Sequence, residues 1–155
     1  MTERRYTAVP RALCFILKDD DVLLLRGAPT KRLWANRLNG VGGHVEADES
    51  IEAAALREIT EETGLTVRNL RLRGVLNQPP NPALGTGDAN TGVLLCIFTA
   101  EAAGGTLTPS AEGTLAWYPQ RLFTDDALPE LLPDLMEDLR ILLPRALAAE
   151  QPFCS

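Results

Sequence analysis

Residues 51–63 have the pattern of a helix, and both of its ends are marked in the sequence. Ser50 stands at the position of an N-cap, whose side-chain oxygen accepts a hydrogen bond from the first turn. Gly64 stands just past the last helical residue, where a left-handed conformation usually closes a helix. The chain therefore contains a helix with fixed bounds, and its other elements have to be arranged around it.

Three glutamates of this helix, Glu58, Glu61 and Glu62, fall within one arc of about 100° on a helical wheel. As free anions, the pairs spaced three or four residues apart should each destabilise the helix by about 0.2–0.5 kcal/mol. They also lie in the last turn, where the helix dipole favours cations. Arg57 lies beside Glu61 and can reach back toward Glu49, which would hold the acidic cluster in a fixed pose. The cluster is either a solvated charged face or a site for a hard divalent cation such as Mg²⁺, which binds carboxylates and phosphates.

Strand patterns occupy most of the remaining chain. Two apolar runs, residues 12–17 and 22–25, flank an acidic turn and predict a β-hairpin. Further strands are predicted at residues 39–45, 65–76, 92–100 and 114–118. Strands and helices mix without a regular βαβ alternation, so the sequence favours an α/β or α+β fold with a mixed sheet.

The last part of the chain, residues 128–149, is helical in pattern but is interrupted by prolines, which should break it into two or more pieces. These prolines are Pro129, Pro133 and Pro144. Residues 150–155 are predicted to form a loose tail that includes Cys154. No repeat or change of composition marks a second domain, so we expect one domain over residues 1–149.

The composition excludes several classes of protein. With 155 residues, of which 45% are hydrophobic and 23% charged, the chain is close to the soluble globular average and unlike a disordered or fibrous chain. A formal net charge of −6 argues against binding a nucleic-acid polymer or an anionic membrane, because such binding needs clustered cations. No apolar run approaches the roughly 20 residues of a membrane span. A polyanionic substrate would therefore need a metal ion or a few local cations.

The three cysteines are sparse and have no paired spacing, which is typical of reduced thiols. The N-terminal segment reaches Pro10 and Arg11 before any long apolar stretch, so no signal peptide is predicted. We therefore expect a cytoplasmic protein.

Residues 43–65 resemble the signature of the Nudix hydrolases, G-x5-E-x7-R-E-U-x-E-E-x-G-U, where U is a bulky aliphatic residue. In this chain the segment reads GHVEADESIEAAALREITEETGL. Every specified position is met, by Gly43, Glu49, Arg57, Glu58, Ile59, Glu61, Glu62, Gly64 and Leu65. The preceding NGVG and the later strand pattern also resemble the family, so the likeness extends beyond the signature.

The resemblance implies an α/β/α sandwich around a mixed β-sheet, in which the signature forms a loop, a helix and a loop that bind Mg²⁺ or Mn²⁺. The metal ligands that it implies are Glu58, Glu61, Glu62 and the backbone carbonyl of Gly42. Glu49 and Arg57 would support these ligands. Members of the family typically hydrolyse a nucleoside diphosphate linked to another group. Bound metal ions suit this reaction because they neutralise phosphate oxygens and lower the pKa of a water molecule.

Glu112 extends the predicted site beyond the signature. It stands just before a strand pattern that contains Trp117, and MutT-like members use a glutamate in a similar loop as a further metal ligand or general base. Glu61 is the other candidate base, and Glu101 competes with Glu112 for the loop position. A solvated loop acid is the alternative for Glu112. The catalytic residues predicted in this way are Arg57, Glu61, Glu62 and Glu112.

The stretch LNGVGGHVE is similar to a segment of the MutT-like and oxidised-purine triphosphatases. The likeness implies that Asn39 faces the base, whose edge an amide can read with one acceptor and two donors. Asp134, in LLPDLMEDL, resembles an acid that meets the base in some of those enzymes, although a polar residue near a helix start is the alternative. The predicted substrate contacts are Arg26, Lys31, Asn39, Gly43 and Asp134. For the two cations, with the neighbouring Arg32, a basic surface loop is the alternative to phosphate binding.

These residues predict a Mg²⁺-dependent pyrophosphohydrolase that converts a nucleoside triphosphate, such as one with an oxidised purine, to a monophosphate and pyrophosphate. ADP-ribose or a nucleotide sugar is the alternative substrate, because Pro80 follows Leu65 by 15 residues and members that cleave ADP-ribose often carry a proline at about that distance. A sensor module without turnover is a third alternative, but such modules often lose the acids that this chain keeps. We expect a small-molecule nucleotide as partner, no nucleic-acid polymer and no membrane, and a monomer or homodimer.

Overall fold

Eight strands and two helices are found in the computed structural model, which describes residues 3–32, 34–81, 89–124 and 132–155. The strands are β1 (Thr7–Lys18), β2 (Asp21–Gly27), β3 (Leu38–Asn39), β4 (Val41–His44), β5 (Leu65–Gln78), β6 (Thr91–Gly105), β7 (Gly113–Pro119) and β8 (Phe153–Cys154). The helices are α1 (Ile51–Thr63) and α2 (Leu139–Ala148), and a 3-10 turn covers Gln120–Thr124. The predicted hairpin is formed by β1 and β2, which pair antiparallel with Ile16 opposite Leu23.

The strands form one mixed sheet, in the order β3-β2-β1-β6-β5-β8, with β4 also pairing with β1 and β7 with β2. The central pair, β1 and β6, is parallel over residues 7–17 of β1, whereas β5 runs antiparallel to β6. The predicted mixed-sheet fold is therefore confirmed.

Alternate residues of β1 enter two different hydrophobic clusters, because successive side chains of a strand point to opposite faces of the sheet. Cys14 and Ile16 pack with Ile59 of α1. Leu13 and Phe15 pack in the cluster that contains the buried face of α2. The sheet is thus covered by α1 on one face and by α2 on the other, as in an α/β/α sandwich.

The first helix has the bounds that its sequence predicts. The Ser50 side chain accepts a hydrogen bond of 3.0 Å from the Ala53 N–H, and Gly64 closes the helix with a φ of 75°. Small residues, Ala54 and Ala55, let the helix approach the sheet closely and are fully buried.

The C-terminal region differs from its prediction at Pro144, which lies inside α2 and does not break it. The missing N–H costs one helical hydrogen bond, but Leu142, Leu143 and Ala146 are buried around it and hold the helix on the sheet. Pro133 lies in the turns before α2, and Pro129 lies outside the described residues. Within the described ranges, no helix is long and apolar enough to cross a membrane.

The expectation of a loose tail is wrong for its last residues, because β8 pairs in parallel with β5. Phe153 stands opposite Gly74, and its ring packs directly on this glycine. A Cβ on Gly74 would lie 2.4 Å from the nearest ring carbon of Phe153. The Ser155 N–H donates to the Val75 carbonyl at 2.9 Å, which extends the pairing. Local patterns did not reveal this strand because β5, with which it pairs, lies about 80 residues earlier in the chain.

We expect Gly64→Ala to lower the free energy of unfolding by about 1–2 kcal/mol or more, because a non-glycine residue is strained in the left-handed conformation. A Cβ at this position would also lie 2.3 Å from the Thr108 hydroxyl and 2.7 Å from the Thr106 carbonyl oxygen. Urea denaturation measures the change. Gly104→Ala is the matched control, since the only close neighbour of its Cβ is the Thr66 hydroxyl at 3.2 Å; an equal loss in both variants would contradict the prediction.

Candidate metal and nucleotide site

Arg57 is the centre of an ion-pair network at the end of β4 and the start of α1. Its guanidinium holds Glu49 with two bonds, of 2.6 and 3.0 Å, and donates to the Glu58 carboxylate at 2.9 Å. It also donates to the His44 carbonyl at 3.1 Å and to Glu61 at 3.4 Å. The hydrogen bonds from Arg57 lower the pKa of Glu49 to about 2, and those to Glu49 and Glu58 raise the pKa of Arg57. The network fixes the loop before α1 against the helix, as the position of Arg57 in the sequence predicted.

Glu62 is the buried acid of the cluster. Its carboxylate accepts a hydrogen bond of 3.4 Å from the Gly42 N–H. Burial, and to a lesser extent the charges of Glu58 and Glu112, raise the pKa of Glu62 to about 8. Burial and the charges of Glu62 and Glu58 raise the pKa of the Cys14 thiol to about 12. Acidic groups are therefore crowded together at this point of the interior.

Gly43 makes room for one of these acids. An ideal Cβ built on Gly43 would lie 2.5 Å from a carboxylate oxygen of Glu58, so a larger residue would displace that side chain. The neighbouring Gly42 lies against β1, where a Cβ would meet the Ala12 carbonyl oxygen at 1.9 Å. The two glycines thus bring the backbone of β4 against both the acidic helix and the sheet.

The three helix acids share one side of α1 but not one environment. The side chain of Glu58 is 14% exposed and that of Glu61 is 60% exposed, while Glu62 is buried. Among the described residues, no group of three His, Cys, Asp or Glu side chains is close enough together to coordinate a metal ion without rearrangement. The oxygen-rich donor set and the raised pKa of Glu62 nevertheless fit a hard divalent cation, which would supply the positive charge that the buried acids lack.

Glu112 lies near this cluster, since its charge acts on Glu62. Its carboxylate is paired with the ammonium group of Lys31, which also lies 5.6 Å from the centre of the Trp34 ring. The structure therefore brings together two of the predicted site residues from distant segments of the chain.

A recess of about 310 Å³ adjoins the cluster. Its lining joins Gly42 and Glu62 to predicted substrate contacts, Lys31 and Asn39, and to an apolar wall. The wall residues are Leu13, Leu95, Met136, Leu139 and Leu142. The lining thus combines acidic, basic and apolar residues, and the volume lies within the size range of small-molecule sites.

Three predicted substrate contacts, Arg26, Gly43 and Asp134, are not found among the residues that line the recess. Arg26 and Asp134 instead form an ion pair with each other, of 3.0 Å, and Arg26 also donates to the Asn36 carbonyl. Burial disfavours the charged form of Arg26, whereas the hydrogen bond to Asp134 favours it. The net effect is a raised pKa of Arg26. This pair ties the end of β2 to the segment before α2.

Sequence reasoning missed three polar residues of the recess, Arg11, Gln78 and Asp138. The Gln78 amide donates to the Asp138 carboxylate at 3.3 Å. Asp138 stands at the start of α2, and an acid at a helix start was a signal that could have identified it. Gln78 ends β5, and nothing in its local sequence sets it apart.

Comparisons with known proteins agree with this geometry. A family model described as the NUDIX domain matches residues 7–145. An oxidized purine nucleoside triphosphate hydrolase of Mus musculus is 34% identical over 117 residues, which cover 76% of this chain and 67% of that protein. The NAD-capped RNA hydrolase NudC of Deinococcus radiodurans is 35% identical over 125 residues, or 80% of this chain. The match spans only 39% of the length of that second protein.

Among solved structures, a mutator MutT protein from Bacillus halodurans superposes with a TM-score of 0.72 at 26% identity, covering 94% of this chain and 86% of that one. An ADP-ribose pyrophosphatase from Streptococcus suis gives a TM-score of 0.63 at 17% identity, over 95% of this chain and 98% of the other. The second likeness is one of fold alone.

Proposed function

The chain belongs to the Nudix hydrolase family, and from this premise we propose that it hydrolyses a nucleoside triphosphate to a nucleoside monophosphate and pyrophosphate. In this reaction the oxygen of a water molecule forms a bond to phosphorus and the bond between the α-phosphate and the β-phosphate breaks. The proton of the water passes to a base. Nucleotides with normal and with oxidised purines belong to the substrate class.

The observation that carries the proposal is the recess, because its lining offers groups that suit each of the three parts of such a substrate. The apolar wall suits a base, the amide of Asn39 suits the polar edge of that base, and Lys31 with Arg32 suits the phosphate chain. A volume of about 310 Å³ is at the lower end of ligand sites, which favours one nucleoside over two.

The family uses a divalent cation, and we propose Mg²⁺ or Mn²⁺ as the cofactor. Glu58, Glu61, Glu62 and the Gly42 carbonyl would hold the cation, with Glu112 as a further candidate ligand. When bound, it would neutralise phosphate oxygens and lower the pKa of a water molecule.

The protein's own residues perform the remaining tasks. Arg57 orients Glu49 and Glu58 through the hydrogen bonds given above. Glu61 and Glu112, the more exposed acids of the cluster, are the candidates that accept the proton of the attacking water. Because Gly43 has no side chain, the Glu58 carboxylate fits beside it. The backbone of Gly43 also stays accessible to a phosphate for the same reason.

A dinucleotide or nucleotide-sugar pyrophosphate is the second candidate substrate. It is favoured by the likeness to NudC, a protein named for the hydrolysis of NAD-capped RNA. The products distinguish the two candidates, since a triphosphate gives pyrophosphate whereas a dinucleotide gives two phosphomonoesters.

The proposal is tested by incubating the purified protein and Mg²⁺ with a panel of nucleotides and resolving the products by mass. The panel contains dGTP, 8-oxo-dGTP, ATP, ADP-ribose, NAD and a nucleotide sugar. We expect the highest kcat/KM with a triphosphate and the release of pyrophosphate. A higher kcat/KM with ADP-ribose, NAD or the sugar would favour the second candidate, and no turnover of any compound would contradict both.

A further inference from the structure

A second recess, of about 430 Å³, lies where the end of β1 and the middle of β6 meet the bulged part of β5. Leu17 of β1 is part of its lining, whereas Arg11 of the same strand lines the candidate active site. Leu17 and Arg11 are six residues apart on an extended strand, which corresponds to a distance of about 20 Å. The second recess is therefore separate from the proposed hydrolase site.

Two arginines of β5, Arg71 and Arg73, line this recess beside each other. Arg73 is held in place by donating to the Thr99 hydroxyl at 2.7 Å and to the Ala149 carbonyl at the end of α2. Burial lowers the pKa of Arg73, and the charge of Arg71 lowers it further. Within the described part of the chain, neither arginine is paired with a carboxylate at ion-pair distance, and Arg71 donates no hydrogen bond.

The acid in the lining, Glu101, is already engaged. Its carboxylate accepts hydrogen bonds of 3.0 Å from Arg68 and from the Asn69 amide. These bonds lower the pKa of Glu101, and Arg71 acts on it only through its charge. Arg71 and Arg73 therefore line the recess with no carboxylate of the described residues at ion-pair distance from either guanidinium.

The backbone of β5 is irregular where these side chains lie. Its register against β6 shifts between Arg68 and Arg71 and again between Leu72 and Gly74, and Asn69 has a φ of 53°. Bulges re-aim side chains and are frequent near binding sites. Here the second shift leaves Arg73 as the extra residue, which stands opposite no residue in the register of β6.

We propose that this recess binds a phosphate group between Arg71 and Arg73, either as free phosphate or as the phosphate monoester of a small organic molecule. Guanidinium groups present paired N–H donors that match phosphate oxygens. Leu17, Leu70 and Ala100 provide an apolar side on which the organic part of a monoester would lie. Because the chain has a formal net charge of −6, an anion needs local cations to bind, and this pair of arginines provides them. This proposal does not depend on the hydrolase function.

The test is an NMR titration of the full chain, labelled with ¹⁵N, in EDTA so that the acids of the other site repel phosphate. The probes are inorganic phosphate, AMP and, as the uncharged comparison, adenosine. We expect the amide signals of residues 69–73 and 99–101 to shift with AMP or phosphate and not with adenosine. Tighter binding of AMP than of phosphate identifies a monoester as the ligand, and equal or weaker binding identifies free phosphate.

Arg71→Ala should weaken this binding about tenfold or more, because it removes a charge-assisted contact from an exposed side chain without disturbing the core. The matched control is Arg121→Ala, which removes the same charge from the exposed 3-10 turn and should leave the affinity unchanged. Absence of saturable shifts, shifts confined to residues around Lys31, or equal affinity in Arg71→Ala and the wild type would each overturn the proposal.

Discussion

Glu62→Gln is expected to reduce kcat by about 10²–10³-fold or more, the loss that follows removal of one group that stabilises transition-state charge. The substitution keeps the shape of the side chain and removes the charge that a cation would bind. Glu62 is the buried member of the acidic cluster, and its carboxylate touches the Gly42 N–H. An amide in its place can still accept that hydrogen bond, so the fold should be kept.

The same variant should change how stability depends on pH in the metal-free protein. The pKa of Glu62 is raised to about 8 by burial, so the folded state binds this proton more tightly than the unfolded state does. Its contribution to stability is therefore complete below the pKa of an unfolded glutamate, near 4.5, and is lost as the pH rises toward 8. Glu62→Gln should lack this loss and be the more stable protein at pH 8 without metal.

Added Mg²⁺ should reverse that order. A ligand that binds only the folded state raises stability with its concentration, so the wild type should gain in Tm with Mg²⁺ while Glu62→Gln gains little. Steady-state rates and thermal melts, each across a Mg²⁺ series, measure both effects.

The control is Glu52→Gln, which removes one charge from the exposed first turn of the same helix and should keep wild-type rates. A Glu62→Gln protein that is folded by circular dichroism and retains wild-type turnover would refute the metal assignment.

The part of the fold around α1 was predictable because its determinants are local. Ser50 and Gly64 are adjacent to the helix they bound, and the spacing of Arg57 from Glu49 sets their ion pair without help from the rest of the chain. The same holds for the β1–β2 hairpin, whose strands are neighbours in sequence. Such features depend on periodicity and capping, which a single sequence displays directly.

The walls of the two recesses were not predictable in this way, because they are assembled by pairings between distant segments. Gln78 and Asp138 meet only because β5 and α2 lie against β6, and local patterns favoured Asp134 instead. Arg71 and Arg73 carried no motif, and their proximity to Glu101 depends on the shifted register of β5 against β6. Sequence reasoning found residues that act within one element and missed those that depend on how elements pack.

Gly43→Ala should lower kcat/KM by about 10²-fold, because displacement of a catalytic group by as little as 1 Å has an effect of this size. The new Cβ would lie 2.5 Å from one Glu58 carboxylate oxygen and 2.9 Å from the other, so the acid has to move. Arg57 donates to the same Glu58 oxygen at 2.9 Å, so a shift of the carboxylate would disturb that ion pair. The Mg²⁺ concentration that gives half-maximal rate should therefore rise together with the loss of turnover.

This effect differs from a general loss of stability, and the comparison with Gly104→Ala separates the two. Gly43 is not in the left-handed region, so its substitution strains no backbone angle and acts through Glu58. Gly104 also lies on a strand, but in a segment of the chain that is distant in sequence from the acidic cluster. Among the described residues, a Cβ on Gly104 would contact the Thr66 hydroxyl, at 3.2 Å, and no acid of the cluster. The expected result is a Tm near that of the wild type for both variants, with a changed Mg²⁺ requirement in Gly43→Ala alone. If Gly43→Ala has the Mg²⁺ dependence of the wild type, the position of the Glu58 carboxylate does not affect metal binding. That result would contradict the role of Glu58 as a metal ligand.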